Sequence, residues 1–151
     1  MEYIFKSFIG KLKIKTDGNA IAELSLTKDE LSSFECDKLI QNAINELDEY
    51  FQGKRTCFSL PLNPKGTEFQ QRVWRELIKI PYGKTISYSE LAKNIGNKNA
   101  QRAVGGANNK NPIMIFIPCH RVIGKNGSLT GYAGGLDIKQ QLLEIEKKNG
   151  V

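Results

Sequence analysis

The chain has 151 residues, 40% hydrophobic and 25% charged, with a formal net charge of +6, the profile of a soluble globular protein of one ordinary domain or two small ones. No run approaches the roughly 18 consecutive apolar residues of a membrane span, and residues 1–6 have neither the basic opening nor the long apolar core of a signal peptide, so the expected location is the cytoplasm. Cys36, Cys57 and Cys119 form no closely spaced pair and His120 is the only histidine, which argues against a disulfide scaffold and leaves few ligands for zinc; no metal and no cofactor is expected.

Residues 3–8, 11–16 and 20–26 read as short strands parted by Gly10 and by Asp17-Gly18-Asn19. Leu12 and Ile14 alternate with lysines, and Ala22, Leu24 and Leu26 with Glu23 and Ser25. Asp-Gly between alternating runs is a hairpin cue. Over residues 38–52 the period changes. Leu39, Ile40, Ala43, Ile44, Leu47, Tyr50 and Phe51 fall on one helical face, with Asn45, Glu46, Asp48 and Glu49 outside, and Gly53 ends the helix. Residues 57–60 read as a further short strand ahead of a Pro/Gly-containing stretch at 61–66. Residues 1–63 are therefore expected to be a small α+β domain with an antiparallel sheet and one helix, carrying no catalytic cluster.

The second domain, 64–151, differs in charge. Residues 1–63 carry 8 Lys+Arg against 10 Asp+Glu, whereas residues 64–151 carry 14 against 6. Between Lys84 and Lys125 stand Lys84, Lys93, Lys98, Arg102, Lys110, Arg121 and Lys125, with Glu90 the one acid. Such an asymmetry fits a polyanion partner, nucleic acid foremost, or a solvated basic surface. Thr67 with Gln70 forms a capping box for a helix that carries Phe69, Val73, Trp74, Leu77 and Ile78 inward and stops before Pro81. Trp74 reads as core. Ser87 with Glu90 forms a second box, opening a helix with Leu91, Ala92 and Ile95. Gly96 and polar Asn97-Lys98-Asn99 follow, and then a helix from Ala100. This is helix-turn-helix spacing, which many helical hairpins share. The second helix has one long side chain, Arg102, among Ala103, Val104, Gly105, Gly106 and Ala107. Two helical glycines sacrifice about 1 kcal/mol each in propensity. Their return is close backbone approach, either to a neighbouring helix or to a DNA strand. So bare a helix suits contact with phosphate and shape better than base-edge reading.

The apolar run 113–117 is bounded by Pro118 and reads as a buried strand that presents Cys119 at its lip, with His120 and Arg121 next. Cys119 beside the only histidine is either a reactive thiolate or a buried structural cysteine. Adjacent strand residues face opposite ways, so a direct Cys119–His120 pair is not expected. Downstream, a glycine-rich stretch surrounds Tyr132, and Asp137 with Gln140 reads as a third capping box. The last helix places Ile138, Leu142, Leu143 and Ile145 inward. Glu144 and Glu146 lie near its end, and spacing does not say which of them faces Cys119.

Residues 117–122, Ile-Pro-Cys-His-Arg-Val, stand between Arg102-Ala-Val-Gly-Gly106 and Tyr132-Ala-Gly-Gly135. With those flanks the chain resembles the methylated-DNA–protein-cysteine methyltransferases, the O6-alkylguanine-DNA alkyltransferase family, over residues 67–146. The first domain is similar only in size and strand-helix-strand order. The resemblance implies an RNase H-like first domain joined to a winged helix-turn-helix domain. It implies a monomer with no obligate protein partner, which binds double-stranded DNA in the minor groove and rotates an O6-alkylguanine out of the stack. The alkyl group then passes irreversibly to a cysteine, once per molecule, with O4-alkylthymine left open as a second substrate. Cys119 matches the nucleophile, His120 the base acting through a water, Glu146 the acid that orients it, and Asn111 the asparagine supporting that chain. Tyr88 matches the tyrosine that donates to the flipped base, and Arg102 the arginine that fills the gap in the duplex. Tyr132 and Ala133 match the pocket wall, where some relatives carry serine at the position of Ala133. Ser87, Ser89, Asn97, Ala103, Gly105 and Lys125 are expected, on the same resemblance, to fall on the DNA-binding surface. Some relatives bind zinc in the first domain through cysteines and histidines; here His120 is already assigned, and Cys36 and Cys57 read as structural or incidental. A cysteine hydrolase is a rival reading, but it has no need of Arg102 or the basic window. A transcription factor would need a richer recognition helix, and lesion binders of this kind lack the cysteine.

Overall fold

The computed structural model describes residues 1–129, 132 and 135–150 and divides into two compact units, Met1–Pro64 and Lys65–Val151. In the first, β1 (Glu2–Ser7), β2 (Gly10–Thr16) and β3 (Ile21–Leu26) form an antiparallel sheet in that order. Phe5 faces Leu12, and Ile14 faces Leu24, so the alternating apolar residues share a buried face. The β2–β3 hairpin turns where Asp17 Oδ1 accepts the amides of Asn19 (3.0 Å) and Ala20 (2.9 Å) and Gly18 takes φ 96°, a conformation that suits glycine. Helix α1 (Lys38–Phe51) is capped by Asp37, whose carboxylate accepts the Ile40 amide at 2.9 Å. It buries Ile40, Ala43, Leu47 and Tyr50.

Two expectations fail in this unit for one reason. Glu46 points inward rather than out. Its carboxylate accepts Ser59 N at 3.0 Å and Ser59 Oγ at 2.6 Å, with Arg55 Nη1 3.6 Å away. The Ser59 amide is thereby taken, and residues 57–60 form no strand; pairing resumes only as an isolated parallel bridge between Ile21 and Leu62.

In the second unit, α2 (Glu68–Ile78) begins with both halves of the Thr67/Gln70 capping box. Val73, Trp74 and Leu77 are buried, whereas Ile78 is exposed and Ile80 takes the inward place. Trp74 is core, and its indole Nε1 donates to Ala107 O at 2.8 Å. That bond ties α2 to α4 (Gln101–Asn109), the second helix of the hairpin. Trp74→Phe keeps a ring but removes the donor and leaves space, so a loss of about 1–3 kcal/mol in urea unfolding is expected; an unchanged midpoint would refute the tie.

Strand β4 (Ile86–Ser87) lies parallel to β5 (Val122–Ile123) and leads into α3 (Tyr88–Asn94), where Ser87 Oγ accepts the Glu90 amide at 3.1 Å. The turn to α4 passes through Gly96 at φ 88° and is closed by Asn97 N to Ala92 O at 3.0 Å. The helix-turn-helix spacing therefore folds as expected. Helix α5 (Leu136–Asn149) starts one residue before Asp137, with Gly135 as its cap and no side-chain cap bond. The third capping box does not form, and Asp137 instead sits in the first turn, where its charge favours the helix dipole.

The largest departure concerns residues 113–117. They are buried as expected, but they curl into a turn and do not extend as a strand. Ile117 N donates to Ile113 O (3.0 Å), Phe116 N to Met114 O (2.8 Å), and Ile115 adopts φ 71°. Asn111 staples the turn: its Nδ2 donates to Ile117 O at 2.7 Å and its Oδ1 accepts Ile113 N at 3.0 Å. A β-branched residue at positive φ is strained by about 1–3 kcal/mol, and here the strained residue lies four positions before Cys119.

Candidate active site

Cys119 opens a single 3-10 turn, Cys119–Arg121, between the stapled loop and β5. Its amide donates to Ile117 O at 2.8 Å. Its carbonyl accepts Val122 N and the Asn108 amide Nδ2, the latter at 3.4 Å. In this turn Cys119, His120 and Arg121 are all buried.

His120, fully buried, shares a hydrogen bond of 2.6 Å between Nε2 and Glu146 Oε2. Of the two acids left open by spacing, Glu146 is thus the buried one, while Glu144 is exposed. Arg121 grips the same carboxylate with two prongs, Nε to Oε1 at 2.8 Å and Nη2 to Oε2 at 3.0 Å, and sends Nη1 to Ile80 O at 2.7 Å. Gly83 N adds a fourth donor to Glu146 at 3.1 Å, and the Arg121 guanidinium carbon lies 5.7 Å from the centre of the Tyr82 ring. Burial alone pushes the Glu146 carboxyl up, but the His120 and Arg121 bonds outweigh it and bring it down to about 2. Burial lowers His120, and the Arg121 and Lys139 charges add to that against Glu146. The imidazole is therefore neutral at neutral pH and able to accept a proton.

Burial pushes the Cys119 thiol up to about 11, while Asn111, Lys139 and Tyr132 favour the ionised form. The resting thiol is protonated and needs a base at the moment of reaction. Tyr132 is buried, and its hydroxyl makes no hydrogen bond of sound geometry among the described residues, although its side chain lies close enough for each group to alter the ionisation of the other. The structure thus brings together Cys119, Asn111 and Tyr132, with His120 and Glu146 alongside. Ala133 lies outside the described residues.

The residues expected to face DNA fall at the start of α3, in the turn that follows it, on α4 and, for Lys125, in the loop after β5. Arg102, Ala103 and Gly106 are exposed on α4, while Val104, Ala107 and Asn108 face inward. A Cβ at Gly106 would meet nothing within 4 Å, and one at Gly105 would make only ordinary contact with the Tyr88 ring at 3.8 Å. Among the described residues, then, no neighbouring helix requires the two glycines. Ser87 and Ser89, half-buried, touch through their hydroxyls at 2.9 Å. Asn97 sits in the exposed turn and accepts the Asn99 amide at 3.1 Å, and Lys125 is exposed. Of the seven basic residues in the window, six are exposed; Arg121 is buried against Glu146 and offers nothing to a phosphate.

Three inward side chains escaped the sequence reading: Asn108, Arg121 and Lys139. A signal for the last existed, since Lys139, Leu142 and Glu146 are spaced three and four apart and share one helical face. The other two thiols sit apart from such a cluster. Cys57 is exposed, and Cys36 lines an open cleft with Tyr3, Ser32, Phe34 and Asp37 in the first unit, meeting Gln41 Oε1 at 3.6 Å.

Comparison with known proteins places this geometry. The family model described as 6-O-methylguanine DNA methyltransferase, DNA binding domain, matches residues 68–148. That described as 6-O-methylguanine DNA methyltransferase, ribonuclease-like domain, matches residues 2–64. The methylated-DNA–protein-cysteine methyltransferase of Methanosarcina acetivorans is 48% identical over 149 residues, covering 95% of this chain and 96% of that one. The enzyme of the same name from Mycobacterium leprae is 46% identical over 144 residues, with 92% and 87% covered. The crystal structure of Mycobacterium tuberculosis OGT in complex with DNA superposes with a TM-score of 0.88 at 44% identity, covering 97% of this chain and 92% of that chain.

Proposed function

The chain belongs to the 6-O-methylguanine DNA methyltransferase family, and from that premise we propose that it repairs O6-alkylguanine in duplex DNA by moving the alkyl group irreversibly onto Cys119. The observation that carries this reading is a buried thiol standing beside a neutral histidine whose carboxylate partner is clamped by Arg121. In the transfer, an Sγ–C bond forms as the C–O6 bond breaks. The thiol proton passes through a water to His120, and guanine leaves as its anion, recovering its carbonyl form when it takes one proton at N1 from the site's water. Glu146 orients and steadies the imidazolium that results, in the manner of nucleophile–base–orienter triads. The acceptor is the protein itself and the group transferred comes from the DNA, so no cofactor is called for. Each molecule acts once.

Guanine O6 is unreachable in a stacked duplex, so the base must be extruded. The exposed face of α4 supports that step. Its small residues admit a strand closely, and Arg102 is the one long cationic side chain on that helix, suited to fill the vacated place. Tyr88 and Tyr132 would flank the rotated base, Asn111 fixes the loop that carries the nucleophile, and Ser87, Ser89, Asn97, Ala103, Gly105 and Lys125 would meet the backbone. The protein acts as a monomer, without an obligate protein partner. No described helix is long and apolar enough to cross a membrane, and we assign it to the cytoplasm with the DNA it repairs.

Intact mass after incubation with an O6-methylguanine duplex tests the proposal. One CH2 unit per molecule, located on the Cys119 peptide and stoichiometric with repaired base, is expected; multiple turnover or unmodified protein would sink it. Arg102→Ala should slow repair of duplex DNA by about tenfold or more, since stabilising an extruded base is worth a few kcal/mol, while sparing reaction with the free base. Equal losses on both substrates would remove Arg102 from the extrusion step.

A further inference from the structure

Lysines ordinarily run their apolar stems along a surface and leave the ammonium in water. Lys139 does not: its relative exposure is 0%. It lies on the inward face of α5 with Leu142 and Glu146. Its Nζ donates to Val122 O at 2.6 Å and stands 5.9 Å from the centre of the Tyr88 ring. Val122 is the residue whose amide closes the 3-10 turn back onto the Cys119 carbonyl. The ammonium is thus bonded to the residue whose own amide is bonded to Cys119, one residue's backbone away from it. The influence is mutual: the Lys139 charge favours the thiolate, and the thiolate favours the Lys139 ammonium. Burial brings Lys139 down to about 8, which still leaves it mostly protonated at neutral pH.

We propose that Lys139 is the counter-cation of the Cys119 thiolate, an ammonium held on the Val122 carbonyl and against the Tyr88 ring so that it stabilises the charge appearing on Sγ as the proton leaves. The inference rests on Cys119 being the nucleophile and adds a residue to that role. The other ionisable groups around the turn do not supply this charge. At rest Glu146 and Arg121 offset one another, His120 is neutral, and Tyr88 and Tyr132 are phenols; once His120 takes the thiol proton it adds a second positive charge, drawn to Glu146. Lys139 transfers no proton; the thiol proton still leaves through His120. The ammonium lowers the energy of what remains, as a fixed charge aimed at a developing one does in a dry site.

The test uses the full chain with Cys36→Ser and Cys57→Ser, so that Cys119 is the thiol that reports. Carbamidomethylation by iodoacetamide is followed by intact mass from pH 6 to 10, with thermal unfolding in parallel. Lys139→Met, which keeps an unbranched stem of similar length, should slow the reaction of Cys119 at pH 7.5 by about tenfold, with the gap closing above about pH 8, where the parent's own Lys139 loses its charge. Lys139→Arg should restore part of the rate. An unshifted profile in a folded Lys139→Met overturns the proposal, even if its melting temperature falls. Should that variant not fold, the parent's own profile carries the test: the rate should rise by less than tenfold per pH unit through about pH 8, where Lys139 loses its proton, and an unbroken tenfold rise per unit overturns the proposal. No DNA enters these measurements. Loss of DNA repair with the shift intact would defeat only the functional reading, and repair without the shift would defeat only this inference.

Discussion

Cys119→Ala is expected to leave an O6-methylguanine duplex wholly unrepaired while folding and binding DNA as the parent does. The loss is total because the acceptor is part of the stoichiometry: with Sγ gone, the alkyl group has nowhere to go. Removing the nucleophile from an enzyme that works through one costs about 10⁴–10⁶ in rate even where turnover is possible. Neither remaining thiol substitutes, since Cys57 is exposed and Cys36 only half-buried, and both belong to the first unit. The effect on stability is small by comparison. Truncating one buried thiol to a methyl group removes about 1 kcal/mol of packing, and the His120–Glu146–Arg121 bonds stand without it. Base analysis of the recovered duplex by mass spectrometry decides the matter, with a melting curve as control. Repaired base in the presence of the folded variant would move the nucleophile elsewhere in the chain.

Why that site could be read from the sequence only in part follows from particular residues. The β2–β3 hairpin, α1, the Thr67 box and the helical hairpin around Gly96 were legible because periodicity and turn chemistry agree there. The loop before Cys119 was not. An apolar run of five residues has the same composition whether it extends or curls, and the left-handed Ile115 contradicts the preference of a β-branched side chain. The 57–60 strand failed because Glu46, a charged residue that local pattern assigns to the surface, reaches in and takes the Ser59 amide. Lys139 and Arg121 escaped for the same reason. Charged side chains are exposed by default, and the default breaks where each finds its partners: Val122 O for Lys139, and Glu146 with Ile80 O for Arg121. Pattern singled out Cys119 and His120, the proposed nucleophile and base; the charges around them appear only once the chain is folded.

The buried Arg121 supplies the second large effect. Arg121→Met should destabilise the protein by about 3–5 kcal/mol, because it leaves the Glu146 carboxylate buried with half its donors gone. Arg121→Lys should recover little, since a single ammonium cannot reproduce the fork that reaches both carboxylate oxygens and Ile80 O at once. The pH dependence gives the effect a signature that a simple loss of packing lacks. Glu146 is held at about 2 in the folded state, below the ordinary carboxylate value of about 4.5, so its contribution to stability is fully present above about pH 4.5 and is lost as the pH falls toward 2. Without Arg121, the burial that pushes the carboxyl up meets less opposition. The window of loss then moves upward, and acid unfolding should begin at higher pH. The same guanidinium also lowers His120. Its removal lets the imidazole hold a proton at higher pH, so the acid limb of the transfer rate should move up as well. Arg121→Met combined with Glu146→Gln should regain part of the stability by removing the orphaned charge, yet regain none of the transfer rate. Acid titrations followed by circular dichroism and single-turnover rates between pH 5 and 8 separate these outcomes. A folded Arg121→Met with an unmoved acid limb would confine Arg121 to packing and leave the tuning of His120 to Lys139 and burial.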